Sequence, residues 1–309
     1  MPAVKSEAGK PLILFIPGLK PKPAPELHRP ALQRCLIAGL KKIDADVARQ
    51  VAHDSAAFDI VSWTYDFYGE HRDLALDAAC IDLLLQKDAA DDADRAGARS
   101  LRRRMLRLFY RIGDHLPFLI PRLADENMSL HLRDLRRYVQ NVDDIAEHTR
   151  RLLTTPLKAA AAAHRPILLI AHSMGSVIAF DALWQLSRDE HMAGRISMLL
   201  TLGSPLGQRF VQRRLLSRDA GGDRYPTLIE RWINVAAVGE LTAVDMTLAD
   251  DFGEMLRLGL LASIEDFSTF NWYRDHGALN VHAEYGYLAN RDVAMHIADW
   301  WRAQAIRAQ

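Results

Sequence analysis

Residues Ile167 to Ile178 read Ile-Leu-Leu-Ile-Ala-His-Ser-Met-Gly-Ser-Val-Ile. Large apolar side chains run from Ile167 to Ile170, stop at Ala171-His172-Ser173-Met174-Gly175, and give way to a helix-like pattern. An unbroken apolar run of this length is that of a strand buried on both faces. The stretch therefore reads as strand, tight turn and helix. A serine at the apex of such a turn projects its hydroxyl above the strand end. The backbone there comes so close to its neighbours that the residues two before and two after must be small. Ala171 and Gly175 hold those positions, with alanine standing where glycine is more usual. Ser173 is the candidate nucleophile.

Outward from this stretch, short apolar runs alternate with longer helical patterns. Leu12-Ile-Leu-Phe-Ile16 ends at Pro17-Gly18 and reads as a strand entering a turn. Asp59 to Tyr65, Ile196 to Leu202 (closed by Gly203-Ser204-Pro205) and Ile229 to Val235 (closed near Gly239) read as further strands. Helical patterns cover about 28–42, 142–163, the residues after Gly175, and 291–307. The helix at 142–163 ends in an alanine run, which favours helix and lets it lie close to a sheet. Apolar strands joined by crossover helices predict an α/β protein with a mostly parallel sheet and helices on both faces. The 309 residues, 49% hydrophobic and 25% charged, suit one domain over 1–309.

Lys+Arg equals Asp+Glu at 39 each, a balance that speaks against nucleic acid as the partner. The two cysteines, Cys35 and Cys80, cannot make a disulfide framework, and no Cys/His pair has zinc-ligand spacing. The first ten residues lack the apolar core of a signal peptide. No apolar stretch reaches the ~20 residues that span a bilayer. The expected location is the cytoplasm.

Residues about 70–140 break the alternation and read as a helical insertion. Leu101, Met105, Leu108, Phe109 and Ile112 fall on one helical face, with Arg103, Arg107 and Arg111 on the other. The segment Arg99–Arg111 has no acidic residue, and His115 to Pro121 is apolar and bounded by proline. Two readings follow. One is an ordinary amphipathic helix with a solvated basic face. The other is a lid over the serine that also touches acidic lipid surfaces.

A nucleophilic serine needs a base, an acid that orients the base, and an oxyanion hole. With an elbow of this kind the chain order is serine, acid, histidine. His282, in Asn280-Val-His-Ala-Glu-Tyr-Gly-Tyr-Leu-Ala-Asn290 just before the terminal helix, is the candidate base; His276 competes with it. His172 adjoins the serine but should point away around the turn, and His296 falls on a helix face. The acid should follow the strand that carries Trp232-Ile-Asn234. Glu240, preceded by Gly239, is nearest that strand end; Asp245 is the alternative, with Asp250 and Asp251 beyond it. Glutamate is one methylene longer than aspartate, so its backbone must stand farther from the histidine. The oxyanion donors should be the N–H groups of Met174, next to the nucleophile, and of Leu19, where Gly18 gives the backbone room to turn inward.

Together these residues resemble the α/β-hydrolase superfamily and, within it, lipases and esterases. The carrying segments are Phe15-Ile-Pro-Gly-Leu19, Ala171-His-Ser-Met-Gly175, Thr201-Leu-Gly-Ser-Pro205, Trp232-x-Asn234 with Glu240, and His282-x-x-Tyr285-Gly-Tyr-Leu288. Ala-His-Ser-Met-Gly is similar to the elbow of some small bacterial lipases. Thr-Leu-Gly-Ser-Pro and Trp-x-Asn look like segments of intracellular serine esterases and inositol-deacylase-like hydrolases. In those relatives a loop aspartate commonly stands about where Glu240 does, and the first loop more often reads His-Gly than Pro-Gly. The resemblance implies a three-layer α/β-hydrolase fold with a helical cap, and hydrolysis of carboxylic esters through an acyl-enzyme with no metal or organic cofactor. Acyl transfer, thioester cleavage and a catalytically silent fold used for binding are the alternatives on the same scaffold. The expected partners are a small or lipid-like ester, no nucleic acid, and a membrane surface met through the basic helix 99–111.

Overall fold

Strands β1 (Leu12–Ile16), β2 (Phe58–Ile60), β3 (Ile167–His172), β4 (Met198–Leu202), β5 (Arg231–Ala237) and β6 (Ser263–Thr269) form one sheet in the order β2-β1-β3-β4-β5-β6. All five pairings are parallel. These features come from a computed structural model that describes residues 9–115, 126–243 and 246–307.

Strands β1, β3, β4 and β5 are buried on both faces, and alternate side chains serve two cores. Ile13, Phe15, Leu168 and Ile170 pack with Leu32, Leu36 and Leu40 of helix Pro25–Lys41 and with Val293, Ile297 and Trp300 of helix Arg291–Arg307. Leu12, Leu14, Ile16 and Leu169 face the other way. They pack with Leu153 and Leu157 of helix Ile145–Ala162 and with Val177, Ile178 and Phe180 of helix Met174–Arg188. Each fully buried large aliphatic or aromatic side chain contributes roughly 1.5–3 kcal/mol relative to exposure. The central strands are thus the most stabilised part of the chain, and the loops at their C-terminal ends rest on a rigid base.

Several elements differ from their expected bounds. The strand expected over Asp59–Tyr65 is only Phe58–Ile60, and Thr64–Tyr68 is helical. The chain leaves the sheet edge after Ile60 because Trp63 and Phe67, four residues apart, bury against the core on a helical spacing. The Trp63 indole N–H donates to the Pro17 carbonyl at 2.9 Å and ties this turn to the loop after β1. The strand expected from Ile196 begins at Met198, although Ile196 makes an isolated parallel bridge to Ile229. The strand expected over Ile229–Val235 is displaced to Arg231–Ala237. Strand β6 is not expected from the sequence. Its charged residues Glu265 and Asp266 mask it, because an edge strand needs apolar side chains on one face only.

Between β2 and β3 the chain is mostly helical, with helices Ala75–Leu85, Asp92–Ala98, Leu101–His115 and Glu126–Val139. In helix Leu101–His115 the faces are turned opposite to a helix whose apolar stripe meets a core. Leu101, Met105 and Leu108 are exposed, and Arg103 is half-buried against the body. The side chains of Phe109, Arg111 and Ile112 and most of the segment His115–Pro121 lie outside the described residues. Among the described residues no helix is long and apolar enough to cross a membrane.

Candidate active site

The sheet order reverses between β1 and β3, and the loops after these strands leave in opposite directions. In open parallel sheets the crevice at such a switch point, outside the C-terminal strand ends, is where ligands bind. Ser173 sits there. Its φ of 53° and ψ of −125° are strained for a residue with a side chain. Surrounding bonds hold it. Its N–H donates to the Leu202 carbonyl at 2.9 Å, and its carbonyl accepts from the Ser176 N–H at 2.9 Å and the Ser176 hydroxyl at 2.6 Å. A Cβ at Gly175 would meet the carbonyls of Ile16 and Pro17 at 2.6 and 2.7 Å, so the turn closes only with glycine.

His282 and Glu240 converge on this serine. The Ser173 hydroxyl lies 2.8 Å from His282 Nε2. On the other side of the ring, Nδ1 stands 2.9 Å from Glu240 Oε2, a charge contact whose N–H direction is bent away from a linear hydrogen bond. Apo sites commonly show such loose geometry. The buried Glu240 carboxylate is well supplied with donors. Oε1 accepts the N–H groups of Leu241 and Thr242 at 3.1 and 3.2 Å, and Oε2 accepts the Tyr287 hydroxyl at 3.0 Å. Burial pushes this carboxyl up, but the His282 charge and these hydrogen bonds outweigh it and hold its pKa below the usual value.

Three residues frame the pair without having been singled out for it in the sequence. Tyr287 accepts the Ala237 N–H at 2.8 Å while donating to Glu240, which fixes the carboxylate to the end of β5. Gly203 has φ +56°, and a Cβ there would stand 3.0 Å from His282 Nδ1 and 3.1 Å from Glu240 Oε2. Arg103 donates to the carbonyls of Gly239 and Leu279 at 3.3 and 2.6 Å. Gly203 and Tyr287 lie within segments that carry the family resemblance, and that is their only signal in the sequence. Arg103 has none, because its partners are main-chain atoms far along the chain.

The loop after β1 lies against the serine. A Cβ on Gly18 would come within 2.8 Å of Ser173 Cβ and 3.3 Å of its hydroxyl. Leu19 follows on this loop, its side chain partly buried against the core. Met174 is the first residue of its helix, where an N–H has no acceptor one turn earlier.

The competing residues stand elsewhere. His276 is exposed and lies 3.7 Å from Asp275. His296 packs over the Phe267 ring on the terminal helix. Asp250 and Asp251 are exposed on the short helix Ala249–Phe252, and Asp245 lies outside the described residues. Asn234 of Trp232-x-Asn234 is structural. Its amide donates to the Met246 carbonyl at 3.0 Å and to Asp266 at 2.8 Å, and Asp266 in turn accepts the N–H groups of Leu248 and Ala249. Cys35 and Cys80 are both buried and free. Among the described residues no group of three His, Cys, Asp or Glu side chains is arranged to hold a metal ion.

Comparison with family models, with curated proteins and with solved structures returned no match for this chain.

Proposed function

We propose that the chain is a serine hydrolase of the α/β-hydrolase fold that cleaves carboxylic esters, with the helical stretch of about 70–140 as an insertion in one domain. The carrying observation is the relay of contacts from Ser173 through His282 to Glu240 on a strained turn at the sheet's switch point. In this reading neutral His282 takes the hydroxyl proton at Nε2 as Ser173 Oγ attacks the ester carbonyl carbon. The Met174 and Leu19 N–H groups donate hydrogen bonds to the oxyanion. The His282 imidazolium then protonates the departing alkoxide and leaves an acyl-enzyme. Water attacks that ester and gives a proton to His282, which passes it to Ser173 Oγ as the acyl–oxygen bond breaks and the acid leaves. Glu240 keeps the proton of the neutral imidazole on Nδ1 and stabilises the cation. Preorganised donors aimed at the developing oxyanion are commonly worth about 3–4 kcal/mol of barrier each.

The direct test is labelling by a fluorophosphonate, which reacts only with an activated serine, followed by p-nitrophenyl esters of rising chain length. Labelling of the wild type but not of Ser173→Ala, with ester turnover lowered by roughly 10⁴–10⁶-fold in that variant, supports the reading. An unlabelled wild type would leave a fold used for binding. Labelling with no ester turnover would point to acyl transfer or thioesters.

A membrane surface is the partner favoured for the insertion. Leu101, Met105 and Leu108 are exposed on a helix that carries Arg102 and Arg104 in the open. Arg214 lies near enough to Arg136, Arg213 and Arg218 for their charges to lower its pKa, after the effect of its own burial. Exposed aliphatic side chains beside clustered arginines match an anionic bilayer, which takes the first into its acyl region and the second at its headgroups.

A further inference from the structure

A second set of charged side chains lies directly behind the candidate site. Glu284, at the start of helix Glu284–Leu288, is buried, yet its carboxylate is fully engaged. Oε2 accepts Lys22 Nζ at 2.9 Å and Oε1 accepts His28 Nε2 at 2.9 Å. Lys22 and His28 come from the loop after β1 and the first turn of the following helix, so the carboxylate joins two distant parts of the chain. A buried carboxylate without such partners would cost several kcal/mol. Lys22 and the two neighbouring histidines overcome the effect of burial and hold the Glu284 pKa well below its usual value.

His172 stands between this carboxylate and His282. Its Nδ1 is 3.5 Å from Glu284 Oε2 and has no hydrogen-bond partner, while its Nε2 is 2.8 Å from the main-chain carbonyl of His282. A carbonyl only accepts, so Nε2 carries a proton. Burial lowers the pKa of this imidazole against the pull of Glu284, which makes it the neutral Nε2–H tautomer. The His282 N–H is also held, by Asn280 Oδ1 at 3.1 Å. Both main-chain polar groups of His282 are therefore fixed, and its ring lies 4.7 Å from that of His172, centroid to centroid.

We propose that His172 is a positioning residue for His282, donating from Nε2 to its main-chain carbonyl so that the imidazole stands between Ser173 and Glu240. The proposal rests on the ester-hydrolase reading for its effect on turnover, but the orientation of the His282 ring can be read without turnover. A displacement of about 1 Å at a reacting group costs on the order of 10²-fold, so loss of this tether has a large expected effect.

The test compares His172→Phe, which keeps ring volume and loses the donor, with His172→Gln, whose amide nitrogen can replace Nε2. In His172→Phe, kcat and the rate of fluorophosphonate labelling at Ser173 should fall by about 10–100-fold with KM nearly unchanged. His172→Gln should recover to within about threefold of wild type. Ring ¹⁵N NMR should show His282 as one tautomer, protonated at Nδ1, in wild type and His172→Gln, and as a mixture in a folded His172→Phe. An unlabelled wild type would defeat the hydrolase reading alone, and the His282 tautomer would still decide the positioning role. A single unchanged tautomer in folded His172→Phe, or equal loss in the Phe and Gln variants, overturns the proposal.

Discussion

Arg103 donates to the main-chain carbonyl of Gly239, one residue before Glu240. The other end of the same guanidinium holds Leu279, three residues before His282. One side chain of helix Leu101–His115 thereby joins the loop that carries Glu240 to the segment that carries His282. The loops meet closely here. Gly239 has φ +84°, and a Cβ on it would lie 2.3 Å from the Ala98 carbonyl.

Removing that bridge should loosen both loops. Arg103→Met is expected to lower kcat on acetyl esters by about 3–10-fold and the melting temperature by a few degrees, the loss of charge-assisted bonds typically costing about 1.5–3 kcal/mol. Arg103→Lys should not restore activity, since a single ammonium does not reproduce the planar fork that reaches two carbonyls. Steady-state kinetics and thermal melts check this, and full activity in Arg103→Met would deny the bridge any part in turnover.

Glu240 should matter through charge as well as position. Glu240→Gln is expected to lower kcat by about 10²–10⁴-fold, and Asp245→Asn far less. Tyr287→Phe removes one hydrogen bond to the carboxylate and should cost about 3–10-fold, in line with ~1 kcal/mol for one bond. If Asp245→Asn proves the more damaging change, the acid is Asp245.

Asp181 offers a test of stability away from the site. It is buried on helix Met174–Arg188, accepts the Leu216 N–H at 2.8 Å and the Tyr138 hydroxyl at 3.1 Å, and burial pushes its pKa up to about 6. Between the unfolded pKa near 3.8 and about 6 the native state holds a proton that the unfolded chain has lost. The neutral carboxyl's contribution is therefore complete below the lower value and lost as pH rises through the upper one. Asp181→Asn, which mimics the neutral acid, should melt at a higher temperature than wild type at pH 8, by about half that margin at pH 5, and at nearly the same temperature at pH 3.5. Equal differences at pH 8 and pH 3.5 would place the titration elsewhere.

The exposed stripe should act at a surface and leave soluble substrates alone. Leu101→Ser with Met105→Ser and Leu108→Ser is expected to weaken co-sedimentation with phosphatidylserine vesicles by at least about tenfold, with acetyl-ester turnover unchanged. Salt should weaken the wild-type interaction, because the arginine contribution is screened over about 10 Å at 0.1 M. Equal binding to phosphatidylcholine vesicles, or none to either, would count against an anionic surface.

The central strands and the elbow were legible because their signals are local. A buried strand needs an unbroken apolar run, as in Ile167–Ala171, and a tight turn needs small residues at fixed offsets, as at Gly175. The meeting of Ser173, His282 and Glu240 could be anticipated from chain order and strand ends, since parallel strands deliver their following loops to one edge. The Arg103 bridge and the Lys22–Glu284–His172 set could not, because each joins residues far apart whose types are ordinary by themselves. The faces of helix Leu101–His115 were ambiguous for a related reason. Periodicity separates apolar from basic residues but does not say which face meets the protein, and here two distant carbonyls turn Arg103 inward.

The backbone at Ser173 carries a further consequence. Glycine takes its positive φ without strain, whereas any side chain there costs about 1–3 kcal/mol. Ser173→Gly should therefore raise the melting temperature, while Ser173→Ala, which keeps a Cβ, should leave it nearly unchanged. Folding alone would favour glycine at this apex. At this apex the side chain works against stability, and in an ester hydrolase the hydroxyl's chemistry would be what offsets that cost.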